Sequence, residues 1–274
     1  MTKLLIPSII LFLFFLSGNN SIAQKLQLGE VIITSNSVLK KNVNPEAFEK
    51  FFIDEVAPEW SKVIPGSLLY LLQADRGDKN GEYLLTCIMN NVTNQDKALS
   101  IQSPFTDLSF SQIKSLTDRP SSYLINLEKY TEYMLIGADE LDPLPIADIL
   151  GFHYIQVRED RTEAFEEFVK EKLNPSLSQL LPDMGLFYYK AVAGENIGSY
   201  ITIFAITSTE AREKYWPTGA PETIAVKEAF GPMKDLADEL VTYLVEGSYL
   251  LPESGAAAYY FESLKWTDFV FVTE

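Results

Sequence analysis

Cysteine and histidine are almost missing, with one of each in 274 residues. A single cysteine excludes an internal disulfide and a thiolate-based zinc site. A single histidine, His153, excludes multi-histidine metal centres. It also leaves a Ser-His-Asp hydrolase dependent on that one residue, with no G-x-S-x-G elbow to supply the nucleophile. Basic residues are scarce too: Lys plus Arg is 22 against 38 for Asp plus Glu, a formal charge of −16. No basic run offsets that balance, which argues against a protein that covers nucleic-acid phosphates. A glycine-rich phosphate loop is also lacking. Apart from the N-terminus, no stretch reaches the 18 or so apolar residues of a membrane span, so no stable membrane insertion is expected of the processed chain. Cys87, within Tyr83-Leu84-Leu85-Thr86-Cys87-Ile88-Met89, reads as a small buried hydrophobe of a strand.

What is present is the composition of a folded protein, 47% hydrophobic and 22% charged. The first 23 residues are an exception. Lys3 precedes the apolar run Leu4 to Leu16, a polar stretch follows, and Ser21-Ile22-Ala23 places small residues at −3 and −1 of a cleavage site before Gln24. This is the pattern of a cleaved secretory signal. The expectation is export, to the periplasm or the medium. Cleavage removes Lys3 and no acid, which takes the charge from −16 to −17.

The remainder is duplicated. Residues 46–83 align with 163–200 at a constant offset of 117, without a gap and with 13 identities in 38 positions. Glu46-Ala47-Phe48-Glu49-Lys50-Phe51 meets Glu163-Ala164-Phe165-Glu166-Glu167-Phe168, and Pro58, Pro65, Gly77, Gly81 and Tyr83 meet Pro175, Pro182, Gly194, Gly198 and Tyr200. Leu28-Gly29 matches Leu150-Gly151 at offset 122, and Lys129-Tyr130-Thr131-Glu132-Tyr133 matches Lys265-Trp266-Thr267-Asp268-Phe269 at offset 136. The second copy therefore carries 19 extra residues, placed around Ser248 to Ala258. The expected division is a signal peptide over 1–23, one unit over 24–140 and another over 146–274, the two joined in the Asp-, Pro- and Gly-rich stretch from Gly137 to Pro145.

Each unit reads as strand, helix, strand, strand, helix, strand. Glu30 to Ser35 and Phe152 to Val157 are the first strands. Leu68 to Ala74 and Gly185 to Ala191 are the second, and Tyr83 to Met89 and Tyr200 to Ile206 the third. The last strands are Tyr130 to Ile136 and Trp266 to Val272. The first helix opens at Asn44-Pro45-Glu46, a cap, a first-turn proline and an acid at the positive end. Phe48, Phe51, Phe52 and Val56 form its apolar stripe, matched by Phe165, Phe168, Val169 and Leu173. Pro58 and Pro175 are expected to stop these helices. A second helix is expected over Glu222 to Leu244, with a weaker counterpart in the first copy interrupted by Pro120. Arg76-Gly77-Asp78 belongs to the hairpin turn completed by Asn80-Gly81.

A βαββαβ unit is a ferredoxin-like fold: a four-stranded antiparallel sheet with two helices on one face. The other face needs a cover, and two tandem copies packed sheet to sheet provide it. The fold class is therefore α+β, an intrachain pseudo-dimeric barrel. The helix start at Glu163-Ala164-Phe165-Glu166-Glu167-Phe168 and the third strand in Gly198-Ser199-Tyr200-Ile201-Thr202-Ile203-Phe204 resemble the dimeric α+β barrel superfamily over nearly the whole processed chain. The resemblance implies kinship with cofactor-free monooxygenases and haem-degrading enzymes, among others. Haem-degrading members use a helical histidine that this chain lacks, so no cofactor is expected.

Sheet alternation sorts the last strands. Thr131, Tyr133, Leu135 and Thr267, Phe269, Phe271 are expected against the helices. Tyr130, Glu132, Met134, Ile136 and Trp266, Asp268, Val270, Val272 are expected to line the barrel. Glu132 and Asp268 would then be pseudo-symmetric carboxyls in a partly apolar cavity, their pKa values raised by burial. Tyr130, Trp266, His153, Tyr70 and Tyr189 complete the candidate lining. His153 reads either as a satisfied, half-buried strand histidine or, in a sharper reading, as a haem ligand or general base. Two functions follow from these residues. One is a monomeric exported barrel that binds a small apolar or aromatic molecule or serves as an interaction scaffold. The other is a cofactor-free monooxygenase or isomerase.

Overall fold

The computed structural model describes residues 29–63, 67–89, 120–125, 129–138, 147–181, 184–215, 234–246, 248–250, 262–263 and 266–272. The signal segment, the part before Pro120 of the weaker helix expected in the first copy, most of the inter-unit stretch and the first part of the helix expected from Glu222 lie outside the described residues.

In the first unit, β1 (Val31–Leu39), β2 (Ser67–Gly77), β3 (Tyr83–Met89) and β5 (Thr131–Ala138) pair in the order β2-β3-β1-β5, with the short β4 (Leu124–Ile125) beside the end of β1. In the second, β6 (Ile149–Ile155), β7 (Met184–Gly194), β8 (Tyr200–Ile206) and β11 (Trp266–Phe271) repeat that order as β7-β8-β6-β11. The extra stretch of the second copy contributes the two-residue pairing of β9 (Tyr249–Leu250) with β10 (Glu262–Ser263). Each unit ends by pairing its last strand with the other's second strand, β5 on β7 and β11 on β2, always antiparallel. Eight strands thereby close into a barrel. This is the dimeric α+β barrel arrangement held within one chain.

Both seams carry the same irregularity. On β2 the register passes over Asp75, between Asp268↔Arg76 and Phe269↔Ala74. On β7 it passes over Val192, between Glu132↔Ala193 and Tyr133↔Ala191. Asp75 and Val192 are equivalent at the offset of 117, so the β-bulge belongs to the repeated unit.

Helix α1 (Pro45–Phe51) is capped by Asn44, whose side chain accepts from the Ala47 amide. It does not stop at Pro58. A π turn (Phe52–Val56) leads into α2 (Ala57–Val63). The second copy repeats this with α3 (Thr162–Phe168), a π turn (Val169–Leu173) and α4 (Asn174–Leu180). The Ala57 amide donates to the Phe52 carbonyl, and Asn174 donates to Val169, one residue further back than in an α-helix. That wider turn, just before each proline, lets the chain pass a residue that has no N–H and whose ring crowds the preceding turn. The helix layer of the second unit also has α5 (Thr209–Tyr215), which no sequence pattern announced, and α6 (Lys234–Tyr243), the described part of the helix expected over Glu222 to Leu244.

Three cores result. The barrel interior joins both units through Ile32, Leu72, Leu84, Tyr133, Phe152, Tyr189, Ile203 and Phe269, with Tyr154 and Phe271 packed against them. Phe48, Phe52, Leu71 and Tyr83 bind the helices to the first unit's sheet, and Phe165, Phe168, Leu186 and Tyr200 do so in the second. Matching clamps cross each helix layer: Tyr83 donates to Glu49 at 2.5 Å and Tyr200 to Glu166 at 2.8 Å. The second also receives Lys190 at 2.7 Å.

The glycines of the second hairpin differ in what they permit. Gly194 and Gly198 both have positive φ, 89° and 84°. A Cβ on Gly198 would meet nothing within 4 Å, whereas one on Gly194 would run into the carbonyl oxygen of Tyr130 on the neighbouring strand. Gly198→Ala is expected to cost about 1 kcal/mol, the left-handed penalty alone. Gly194→Ala is expected to cost at least about 3 kcal/mol because backbone must move. Urea denaturation of the two variants checks the difference.

Candidate functional site

The last strands face the opposite way from the sequence expectation. Tyr133, Leu135, Phe269 and Phe271 belong to the barrel interior, while Ile136, Val270 and Val272 pack under the helices. Glu132 and Asp268 alternate with the interior residues and therefore lie on the helix-facing side, both buried. The pattern misled because Tyr and Phe suit either core, and eight converging strands need the larger rings inside. Tyr70 and Tyr189 do point into the barrel. The Tyr189 hydroxyl donates to the Gly29 carbonyl at 2.8 Å, tying the second unit to the start of the first. Tyr130, just ahead of β5, is 39% exposed. Trp266 opens β11 as the ladder partner of His153.

On the outer face of the second unit's sheet, Asp268 stands beside Gly151 in the ladder, and His153 is two residues along the same strand. A Cβ at Gly151 would lie 3.1 Å from Asp268 Oδ1 and 3.8 Å from His153 Nε2, so glycine leaves the room in which carboxyl and imidazole approach each other. The imidazole meets the Phe204 ring edge-on, with centroids 4.8 Å apart. Two arginines hold the carboxylate. Arg76 Nε is 3.8 Å and Arg212 Nη1 3.7 Å from Asp268 Oδ2. Two adjacent acid–base pairs then cross between the units: Arg212 reaches Asp75 at 2.5 Å, and Arg76 reaches Glu213 at 3.1 Å. The β2 bulge places Asp75 and Arg76 there, and α5 presents Arg212 and Glu213.

Burial pushes the Asp268 carboxyl up to about 6, against the pull of Arg76 and Arg212 and with the help of Asp75 and Glu213. Burial lowers the His153 imidazole to about 4. At neutral pH His153 is therefore an uncharged imidazole beside an ionised carboxylate, an arrangement able to accept a proton from a bound molecule and keep the resulting cation close to a negative group. Among the described residues, no group of three or more His, Cys, Asp or Glu side chains is arranged to hold a metal ion.

Sequence reasoning found His153 and Asp268 and missed their partners. Arg76 looked like turn chemistry, and Arg212 lies in a helix without a sequence signal. The other seam gives no hint either, because Ala193 and Val192 stand where Arg76 and Asp75 do.

No family model and no curated protein matches the chain. Among solved structures it is similar to an anthrone oxidase-like protein, at 12% identity and a TM-score of 0.46 over 92% of this chain and 93% of that one. It is also similar to a monooxygenase-like protein from Listeria innocua (11% identity, TM-score 0.40, 89% and 94% covered). A third match is a heme-degrading enzyme from Listeria monocytogenes (9%, TM-score 0.38, 88% and 99%).

Two outcomes test the cluster. Arg212→Met leaves Asp75 and Asp268 without their shared cation and is expected to cost about 3 kcal/mol in unfolding free energy. The imidazole's folded pKa lies below its ordinary value of 6.5. Its contribution to stability is therefore complete above about 6.5 and is lost as pH falls toward 4. In urea titrations, His153→Gln is expected to shrink the stability lost between pH 7 and 4.5 by about 1–2 kcal/mol.

Proposed function

We propose that the chain is an exported, monomeric barrel protein that binds a small apolar or aromatic molecule on the helix-facing side of the second unit's sheet, with His153 and Asp268 at the polar end of that site. The observation that carries this reading is the half-buried, uncharged His153 set against Phe204 and beside the arginine-held Asp268. Export rests on the pattern of residues 1–23. A monomer is favoured because each half already covers the sheet face and edges of the other.

The same pair favours a second reading, a cofactor-free monooxygenase or isomerase. His153 would take a proton from the bound molecule, and Asp268, positioned by Arg76 and Arg212, would stabilise the imidazolium.

Native mass spectrometry of protein purified from its own host tests the binding reading. A retained small molecule is expected in the unaltered protein, and its occupancy is expected to fall about tenfold in His153→Ala, the equivalent of one polar contact. Equal retention in both proteins, or none in either, overturns it. The monooxygenase form of the second reading predicts that the recovered molecule gains one oxygen atom on aerobic incubation, the isomerase form predicts a change in its chromatographic retention at constant mass, and either change is expected to be lost in His153→Gln.

A further inference from the structure

A row of hydroxyls crosses the first unit's half of the barrel wall. Thr131, Thr34, Thr86 and Tyr70 stand on β5, β1, β3 and β2, each the ladder partner of the next. They alternate in phase with Tyr133, Ile32, Leu84, Ile88 and Leu72, all interior residues, so all four side chains face into the barrel. At one end of the row Thr131 Oγ1 accepts from Asn196 Nδ2 at 3.0 Å. At the other end, the Tyr70 hydroxyl and Thr86 Oγ1 are buried without a hydrogen-bond partner. Tyr70 is 7% exposed and Thr86 1%.

A buried hydroxyl with nothing to bond carries its full desolvation penalty, and such groups in native proteins are nearly always paired, often through an internal molecule. Here the two residues that carry them stand opposite each other on adjacent strands, with both side chains turned into the barrel. Directly opposed residues of an antiparallel pair bring their Cβ atoms within about 5 Å. Phe271 packs edge-on against the Tyr70 ring, with centroids 5.5 Å apart, which holds the phenol in the interior. Tyr189, in the same interior, has its hydroxyl committed to the Gly29 carbonyl, so the Tyr70 hydroxyl is not a general feature of the barrel's tyrosines.

We infer that the barrel contains a buried binding site for a small neutral hydrogen-bonding molecule that bridges Tyr70 Oη and Thr86 Oγ1. Each hydroxyl both donates and accepts, so the guest needs one group that does either, such as water, an alcohol or a carbonyl. The interior core around it is apolar, and a charged guest would be excluded by its desolvation cost. The site is separate from the one around His153, which lies on the other side of the sheet.

Thermal unfolding of Tyr70→Phe and Thr86→Val tests the inference, since both keep the side-chain shape. With a bridging guest, each variant is expected to melt about 2–4 °C lower, and the double variant no lower than the weaker single, because one guest serves both groups. A rise in melting temperature in either single variant shows relief of an unpaired hydroxyl and overturns the inference. A measurement on folded unaltered protein separates the sources. Oxygen-17 relaxation dispersion reports a long-lived internal water, and native mass spectrometry reports an organic guest. One of these signals is expected, lost in Tyr70→Phe and kept in His153→Ala. Neither signal in the unaltered protein, or a signal unchanged in Tyr70→Phe, overturns it.

Discussion

A four-stranded sheet with helices on one face leaves its other face and both edges uncovered, and covering them is the constraint that governs the molecule. Its bare face is apolar, and its outer strands offer unpaired N–H and C=O groups to any other strand. Here both faults are cured at once. β5 closes on β7 and β11 on β2, so the free edges become ladders and the bare faces become one interior. Ile32, Leu72, Leu84, Phe152, Tyr189 and Phe269 come from both halves, and neither half completes this interior without the other.

Closure also decides where chemistry can sit. The interior is occupied largely by rings and aliphatic side chains, so the carboxyl and imidazole of the site fall on the outer side of the wall, beneath the helices. There the β2 bulge brings Asp75 and Arg76 against Arg212 and Glu213 of α5, with Asp268 between them. An ion network of this kind, buried at Arg212 and Asp268 and open to water at Asp75, adds little net stability. What it supplies is direction, since it fixes the Asp268 carboxylate beside His153 in one place.

Much of the fold was legible because the repeat imposes consistency. Two aligned copies gave the strands Tyr83–Met89 and Tyr200–Ile206, helix starts at Pro45 and Glu163, the second within one residue of the observed Thr162, and the closed pair of sheets. Element ends were less legible. Pro58 and Pro175 read as stops because a proline opposes a regular α-turn, and nothing in a sequence announces that a π turn will accommodate it. The faces of β5 and β11 were inverted because alternation separates two sets of residues without saying which is inside. With Thr-Tyr-Leu against Glu-Met-Ile, size settled the matter and polarity did not. His153 and Asp268 were visible as scarce, chemically capable residues. Arg212 was not, since its importance comes from a contact 137 residues away in the chain.

Fusion of the two halves has a consequence beyond stability. A homodimer must place the same residues at both of its seams, because its twofold axis copies every substitution. This chain carries two versions of the unit, and its seams have drifted apart: Arg76 and Asp75 at one, Ala193 and Val192 at the other. One seam can therefore gather arginines and acids around an imidazole, while at its counterpart the equivalent carboxyl, Glu132, stands opposite Ala193. The barrel keeps the symmetry of its backbone and gives up the symmetry of its chemistry, so it builds one arginine–carboxylate cluster where a dimer would be obliged to build two.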